Sequence, residues 1–272
     1  MGQETMRYCM HYFFLLAFVQ GIAEAFPISS SAHLLILAHV LGIQPPSKAL
    51  AVALHLGTLL AIGVVFHKAC FRVLRGCLDL FRGHASQARH FFLTLVIATL
   101  PVLFGGLGIH LLGLNFDALP IMAINTMVFG VLLWVIDRTR PSKAIALEKI
   151  SYGTGIVLGC FQMLALIPGV SRLGICIMAG RLMGMNLASS TRFSFLLGIP
   201  VIASAIVLKH GEIINSNLSL ASFFSMTGIT FFLGIPCILF FESWVKTHTI
   251  TPFVLYRLGI GIVLCAMIGG WI

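Results

Sequence analysis

Residues 20–33 read QGIAEAFPISSSAH, and residues 168–172 read PGVSR. Each stretch contains the pattern Pro-x-x-Ser, and each interrupts a region that is otherwise apolar enough to lie in lipid. Polar groups in the hydrocarbon core are costly unless they are buried in protein or line a cavity. One such break in each half of the chain therefore predicts a shared polar site inside a bundle of helices.

The composition of the chain indicates an integral membrane protein. Of its 272 residues, 59% are hydrophobic and only 9% are charged, and the mean hydropathy is +1.04. So few charges cannot cover a soluble globule of this size. The formal net charge of +9 comes from Lys and Arg residues that cluster between apolar segments. This pattern is typical of cytoplasmic loops, so we expect no nucleic-acid partner.

Hydropathy along the chain predicts six complete helical spans, because a span needs about 20 apolar residues. These spans are 49–66, 91–112, 118–136, 193–208, 219–241 and 252–271. Two further regions, 8–43 and 152–187, are long but are broken in the middle by the Pro-x-x-Ser stretches, so each is predicted to be a re-entrant helical hairpin. The basic segments 67–90 and 137–151 are predicted to be cytoplasmic loops.

The order of these segments predicts an inverted repeat. Each half consists of one broken re-entrant helical hairpin followed by three transmembrane helices, and an odd number of crossings turns the second half upside down. In such folds the two broken segments meet near the middle of the membrane. The predicted fold is an all-α polytopic membrane protein with a single membrane domain over residues 1–272. Its first repeat covers about 1–140 and its second about 150–272.

Gln20 and Glu24 lie four residues apart before the first break, so they share one face of a helix. A carboxylate at this depth is costly. Glu24 is therefore neutralised by a proton, paired with Arg172, or used as a metal ligand or proton acceptor.

The first break is a candidate phosphate site. Helix is expected to resume at about Ser30, and the free amides of a helix start, with a serine cap and the positive dipole end, can bind phosphate. Ser29 and Ser31 are candidates for such contacts. Ser30 and His33 lie three residues apart, so the imidazole can activate the serine, attack phosphorus itself or protonate a leaving oxygen. The alternative is that the serines only cap the helix and His33 bonds to a neighbouring span.

The second break repeats this arrangement. Gly169 permits close approach of the backbone, Ser171 is a capping serine, and Arg172 is suited to binding phosphate oxygens through paired hydrogen bonds. Arg172 needs an anionic partner at membrane depth, either Glu24 or a phosphorylated ligand. Further along the same arm, Arg181 is expected to extend to the membrane surface. His55 and most other histidines lack metal-ligand spacing.

Both stretches, together with RFSFLLGIP at 192–200 and PFVLYR at 252–257, resemble the signature regions of bacterial undecaprenyl-diphosphate phosphatases of the bacitracin-resistance type. The resemblance runs nearly end to end. It implies removal of the terminal phosphate from undecaprenyl diphosphate, which regenerates the lipid carrier used in cell-wall synthesis. It also implies a divalent cation, Mg²⁺ or Ca²⁺, at Gln20 and Glu24. The implied catalytic residues are Glu24, Ser30, His33 and Arg172, with Ser30 or His33 as nucleophile or base.

The resemblance further implies a multi-pass protein of the bacterial cytoplasmic membrane whose site opens to the outer face, and a homodimer is one possible assembly. The chain departs from the family at Leu173 and Cys176, where the family usually has hydroxyl residues. That departure keeps open a flippase or transporter that uses the same anion site without hydrolysis. The other broad family of lipid phosphatases would place a histidine at position 178, which is Met.

Overall fold

The computed structural model describes residues 3–114, 119–140, 143–208, 211 and 218–271, with side chains from residue 12 onward except Lys48. Its described part contains helices and no β-strand. In chain order the helices are α1 Gln3–Ala23, α2 Ser30–Val40, α3 Lys48–Val65, α4 His67–Phe81, α5 Gln87–Leu111, α6 Leu119–Thr139, α7 Tyr152–Met163, α8 Arg172–Leu182, α9 Leu187–Leu208, α10 Leu220–Thr247 and α11 Thr251–Ile268. Short 3₁₀ turns occupy Leu147–Lys149 and Leu164–Leu166.

The helices confirm an all-α polytopic membrane protein. In the described part of the chain, α5, α6, α9, α10 and α11 are long and apolar enough to cross a membrane, and α3 adds a sixth span when it is counted with α4. Each predicted span therefore coincides with a helix. The division into two inverted repeats stays a prediction, although each half contains one broken hairpin.

The predicted loop at 67–90 is wrong over its first part, because α4 follows α3 directly at a bend of 89°. The segment forms an amphipathic helix in which basic residues lie beside an exposed apolar face of Phe71, Leu74 and Leu78. The basic residues lower the average hydropathy, which led to the prediction of a loop. Gly76 lies against the backbone of Ala88, so α4 and α5 approach closely there.

Both predicted breaks are present. The first lies between the end of α1 at Ala23 and the start of α2 at Ser30, and the second lies between α7 with its 3₁₀ turn and the start of α8 at Arg172. The residues that precede the resumed helices, Ser29 and Ser171, have φ angles of 69° and 68°. This left-handed region is rare for residues other than glycine, so both breaks contain strained backbone.

The expected serine cap forms at only one break. The Ser171 hydroxyl accepts a hydrogen bond from the backbone N–H of Gly174 at 3.2 Å. The Ser29 side chain makes no cap and instead lies 3.1 Å from the Ser31 hydroxyl. Gly169, with φ of 89°, lies against the backbone of Met122, where a Cβ atom would not fit. The expected close backbone approach at Gly169 is confirmed.

The arginine at the far end of α8 does not extend to the membrane surface. Arg181 is 4% exposed. Its Nε donates to Oδ1 of Asp137 at 2.7 Å, and its Nη atoms donate to the backbone carbonyls of Met185, Asp137 and Arg140. The expectation that Arg181 extends to the membrane surface is wrong, because the carboxylate of Asp137, near the end of α6, pairs with it and offsets the free-energy cost of burying its charge.

Candidate active site

The two breaks border one cavity of about 440 Å³. Its apolar wall includes Leu166 from the 3₁₀ turn after α7, Ile167 from the second break, and Val201, Ile202, Ala205 and Ile206 from α9. Its polar lining comes from both halves of the chain: Glu24, Ser29, Ser30, Ser31, His55, Ser171 and Arg172. The cavity therefore combines a polar centre of the kind that suits a charged head group with an apolar wall that suits a lipid tail.

Glu24 is the centre of the polar contacts. Its Oε1 accepts a hydrogen bond from Nη2 of Arg172 at 3.2 Å, and its Oε2 accepts one from the Ser30 hydroxyl at 2.6 Å. The Glu24 and Arg172 side chains are only 10% and 12% exposed, so each charge compensates the other where it is largely shielded from solvent. This ion pair joins the first break to the second across 148 positions of sequence.

Arg172 is held from a second side. Its Nη1 donates to the backbone carbonyl of Ser194 at 3.2 Å, and its guanidinium lies directly against Gly198. Among the described residues, Arg172 donates to the Ser194 carbonyl and to Glu24, and these two hydrogen bonds use two of its five N–H groups. The remaining donors are suited to a tetrahedral oxyanion in the cavity.

Ser30 has the surroundings of an activated hydroxyl. Its O–H donates to the Glu24 carboxylate, which is the arrangement of a nucleophile next to its proton acceptor. Ser30 is also the first residue of α2, so the free backbone amides of that helix start lie beside it. The carboxylate, rather than an imidazole, is the base in contact with this serine.

His33 lies beside the cavity lining and faces α11. Its Nδ1 is 2.8 Å from the Ser29 carbonyl oxygen, and its Nε2 is 2.9 Å from the hydroxyl of Tyr256, whose ring stacks on it. Because a carbonyl can only accept, Nδ1 carries a proton, and in the neutral imidazole Nε2 then accepts from the Tyr256 hydroxyl. The structure thus brings Glu24, Ser30 and Arg172 together and gives His33 other partners.

His55, which the sequence analysis left outside the site, is part of the cavity wall. Its Nδ1 lies 3.3 Å from Nε2 of Gln20, and the same Gln20 nitrogen donates to Glu24 at 3.3 Å. Spacing along the chain gives no hint of this contact, since His55 comes from α3. His55 is an ionisable residue near the middle of an apolar span, and such a residue by itself indicates a functional site. This feature of the sequence could have predicted that His55 belongs to the site.

The residues around Gln20 fit a hard cation in part. Gln20 is fully buried, and its Oε1 has no hydrogen-bond partner among the described residues. Amide and carboxylate oxygens are the ligands that Mg²⁺ and Ca²⁺ take. No group of three or more His, Cys, Asp or Glu side chains able to hold a metal occurs in the described part of the chain. The oxygen types therefore fit a hard cation, whereas in this structure Gln20 directs Nε2 rather than Oε1 toward Glu24.

The two departures from the family pattern differ in position. Leu173 is 2% exposed and lines the cavity next to Arg172. Cys176 is fully buried, and its Sγ lies 3.4 Å from Oε1 of Gln162, in the packing between α7 and α8. Only Leu173 therefore replaces a group at the cavity surface.

Comparison with known proteins finds one matching family and several similar proteins. A family model described as "Bacitracin resistance protein BacA" matches residues 13–263. A protein of Chromohalobacter salexigens named undecaprenyl-diphosphatase is 38% identical over 253 residues, which cover 92% of this chain and 95% of the relative. Proteins of the same name from Teredinibacter turnerae and Gemmatimonas aurantiaca are 35% and 34% identical, cover 92% and 93% of this chain, and are themselves covered to 96% and 95%.

Proposed function

The chain belongs to the BacA family of bacitracin resistance proteins, and on that premise we propose how its cavity releases phosphate. The protein is a membrane hydrolase that converts undecaprenyl diphosphate to undecaprenyl phosphate and inorganic phosphate. The observation that carries the site assignment is the contact of Ser30 and Arg172 with the same Glu24 carboxylate. The transporter alternative has no comparable support, since the relatives carry the name of a hydrolase.

The diphosphate binds between the two breaks. Arg172 donates to oxygens of the terminal phosphate, assisted by the backbone amides at the starts of α2 and α8 and by the hydroxyls of Ser29, Ser31 and Ser171. Gly169 lets the second break approach closely. The isoprenoid chain lies along the apolar wall formed by α9.

Ser30 is the nucleophile, because its hydroxyl already donates to Glu24. The Ser30 oxygen bonds to the terminal phosphorus while its proton passes to Oε2 of Glu24, and the bond from that phosphorus to the bridging oxygen breaks. Undecaprenyl phosphate leaves. Water then adds to the phosphorus of the phosphoserine, the bond from phosphorus to the Ser30 oxygen breaks, and the proton held by Glu24 returns to that oxygen as inorganic phosphate is released. Arg172 stabilises the charge that develops on the phosphoryl oxygens. His33 holds the backbone before Ser30 through its bond to the Ser29 carbonyl.

A divalent cation, Mg²⁺ or Ca²⁺, would be held by Glu24 and by Gln20, whose amide would turn so that Oε1 takes the place that Nε2 has beside the carboxylate. When bound, it supplies charge neutralisation at the diphosphate. We also propose the bacterial cytoplasmic membrane as the location, with the cavity open to the outer face and its product returned to cell-wall synthesis. A homodimer stays a prediction.

The test of this function is inorganic phosphate release from undecaprenyl diphosphate by the purified protein in detergent. We expect turnover that a chelator suppresses and that added Mg²⁺ or Ca²⁺ restores. Gln20→Leu removes the unpaired oxygen, and we expect it to raise the cation concentration for half-maximal activity by about tenfold or more. If the chelator leaves the turnover unchanged, the proposed need for a divalent cation is wrong. If the wild-type protein releases no phosphate with the cation present, the proposed function is wrong.

Leu173→Ser tests the cavity surface next to Arg172. We expect the new hydroxyl to raise kcat/KM by about tenfold, since a hydrogen bond to a charged group contributes about 1.5 kcal/mol or more. Cys176→Thr is the matched control, because this side chain lies in the packing against Gln162. We expect its kcat/KM to stay within about threefold of the wild-type value. A larger gain from Cys176→Thr than from Leu173→Ser would contradict the placement of these two residues.

A further inference from the structure

Arg257 is a buried arginine that the reaction described above does not use. It lies on α11 and is 1% exposed, and no described carboxylate pairs with it. An arginine in this setting needs other oxygen partners, since it cannot lose its charge. Its position inside an apolar span makes it a candidate for a specific role.

The partners of Arg257 are backbone carbonyls, and they belong to both breaks. Its Nη1 donates to the carbonyl of Pro27 at 3.2 Å, in the first break. Its Nη2 donates to the carbonyls of Gly169 at 2.9 Å and Val170 at 3.2 Å, in the second break. Its Nε donates to the carbonyl of Thr126 on α6 at 3.0 Å. One guanidinium group thus holds the two breaks at a fixed separation.

These bonds are made where the backbone is strained. Val170 directly precedes Ser171, and Pro27 lies two residues before Ser29, and both serines have positive φ. Such conformations persist only where the surrounding structure holds them. The hydrocarbon core of a membrane offers no donors to backbone carbonyls, so carbonyls freed by a break in a helix need donors from the protein or from a cavity.

Asn125 makes a related but narrower contact. Its Nδ2 donates to the carbonyl of Pro168 in the second break at 3.0 Å. Asn125 lies five residues after Pro120 on α6, as Arg257 lies five residues after Pro252 on α11. Each proline of a break is therefore held by the helix that ends the opposite half of the chain. Arg257 contacts both breaks, whereas Asn125 contacts only the second.

We propose that Arg257 is a positioning residue for phosphate release, and that it sets the separation of the two breaks and hence the placement of Arg172 opposite Ser30. Ser30 follows Pro27 by three residues and Arg172 follows Val170 by two, so a shift of either carbonyl moves the reacting groups. The role in turnover rests on the proposed function, but the role in holding the breaks does not.

The experiment compares three variants in detergent: Arg257→Lys, Asn125→Ala and Arg181→Lys. Arg181→Lys is the matched control, because Arg181 is also buried and also makes four hydrogen bonds through its guanidinium, nine residues beyond Arg172 on α8. Two quantities are measured: the rate of backbone amide exchange at residues 28–32 and 169–175, followed by mass spectrometry, and the kcat and KM for undecaprenyl diphosphate.

We expect Arg257→Lys to speed amide exchange at both breaks, because one ammonium group cannot reach four carbonyls. Its kcat should fall on the order of 10²-fold, as misplacement of reacting groups by about 1 Å does, with little change in KM. Asn125→Ala should speed exchange only at the second break and lower kcat by about tenfold. Arg181→Lys should leave exchange at both breaks at the wild-type rate.

Wild-type exchange at both breaks in Arg257→Lys would overturn the proposal, as would equal acceleration in Arg181→Lys. If Arg257→Lys does not fold, Arg257→Gln decides, because a neutral amide with two donors cannot bond to all four carbonyls: faster exchange at both breaks supports the proposal, and wild-type exchange overturns it. If the wild-type protein releases no phosphate, the proposed function fails while the exchange rates still test how the breaks are held.

Discussion

Ser30→Ala is expected to lower kcat by about 10⁴-fold or more, because it removes the oxygen that forms the bond to phosphorus. KM should change little, since Arg172 and the helix starts remain. The measurement is phosphate release at saturating undecaprenyl diphosphate with Mg²⁺ present. Acid quenching of the wild-type reaction followed by peptide mass spectrometry should recover phosphate on Ser30.

Ser31→Ala is the matched control for this prediction. It removes a neighbouring hydroxyl whose protein contact is Ser29, and we expect a loss of less than about tenfold. If Ser30→Ala keeps most of its turnover, or if the phosphate is recovered on His33, the assignment of Ser30 as nucleophile is wrong. Either result would return the choice to the imidazole, which the sequence alone left open.

Arg172→Ala should lower kcat/KM by about 10³-fold, since it removes the guanidinium that neutralises the phosphoryl oxygens. It should also destabilise the fold by about 3 kcal/mol, because Glu24 then remains as a largely buried carboxylate without its cationic partner. The two measurements are phosphate release and thermal unfolding in detergent.

The double variant Arg172→Ala with Glu24→Gln separates these two effects. We expect it to recover most of the lost unfolding temperature, since no unpaired charge remains, and to stay inactive. A double variant as unstable as Arg172→Ala would contradict the ion pair between the two breaks. A fully active Arg172→Ala would contradict the role of this arginine in binding phosphate.

The breaks and the spans follow from the sequence because each depends on local chemistry. Proline removes a backbone donor, and a serine shortly after it favours the start of a helix. The resumption of helix at Ser30 can therefore be predicted from a few neighbouring residues. The same local reasoning fails at α4, where basic residues lower the average hydropathy. There the apolar face of Phe71, Leu74 and Leu78 is visible only at helical spacing.

The partners of individual site residues depend on distant helices, so the sequence predicts them less well. His33 shares a helical face with Ser30, yet its ring is taken by Tyr256, which is 223 residues away. His55 reaches Gln20 only because α3 packs next to α1. The sequence analysis expected the anionic partner of Arg172 to be either Glu24 or a phosphorylated ligand, and the structure contains the pair with Glu24.

The most direct test of the shared cavity is an experimental structure with a methylene diphosphonate analogue of undecaprenyl diphosphate and Mg²⁺. We expect oxygens of one terminal phosphonate to lie within about 3.2 Å of both the Ser30 hydroxyl and the Arg172 guanidinium. We also expect the lipid chain to follow the apolar wall of α9. A phosphonate that contacts only one of the two breaks, with the other facing a separate compartment, would contradict it.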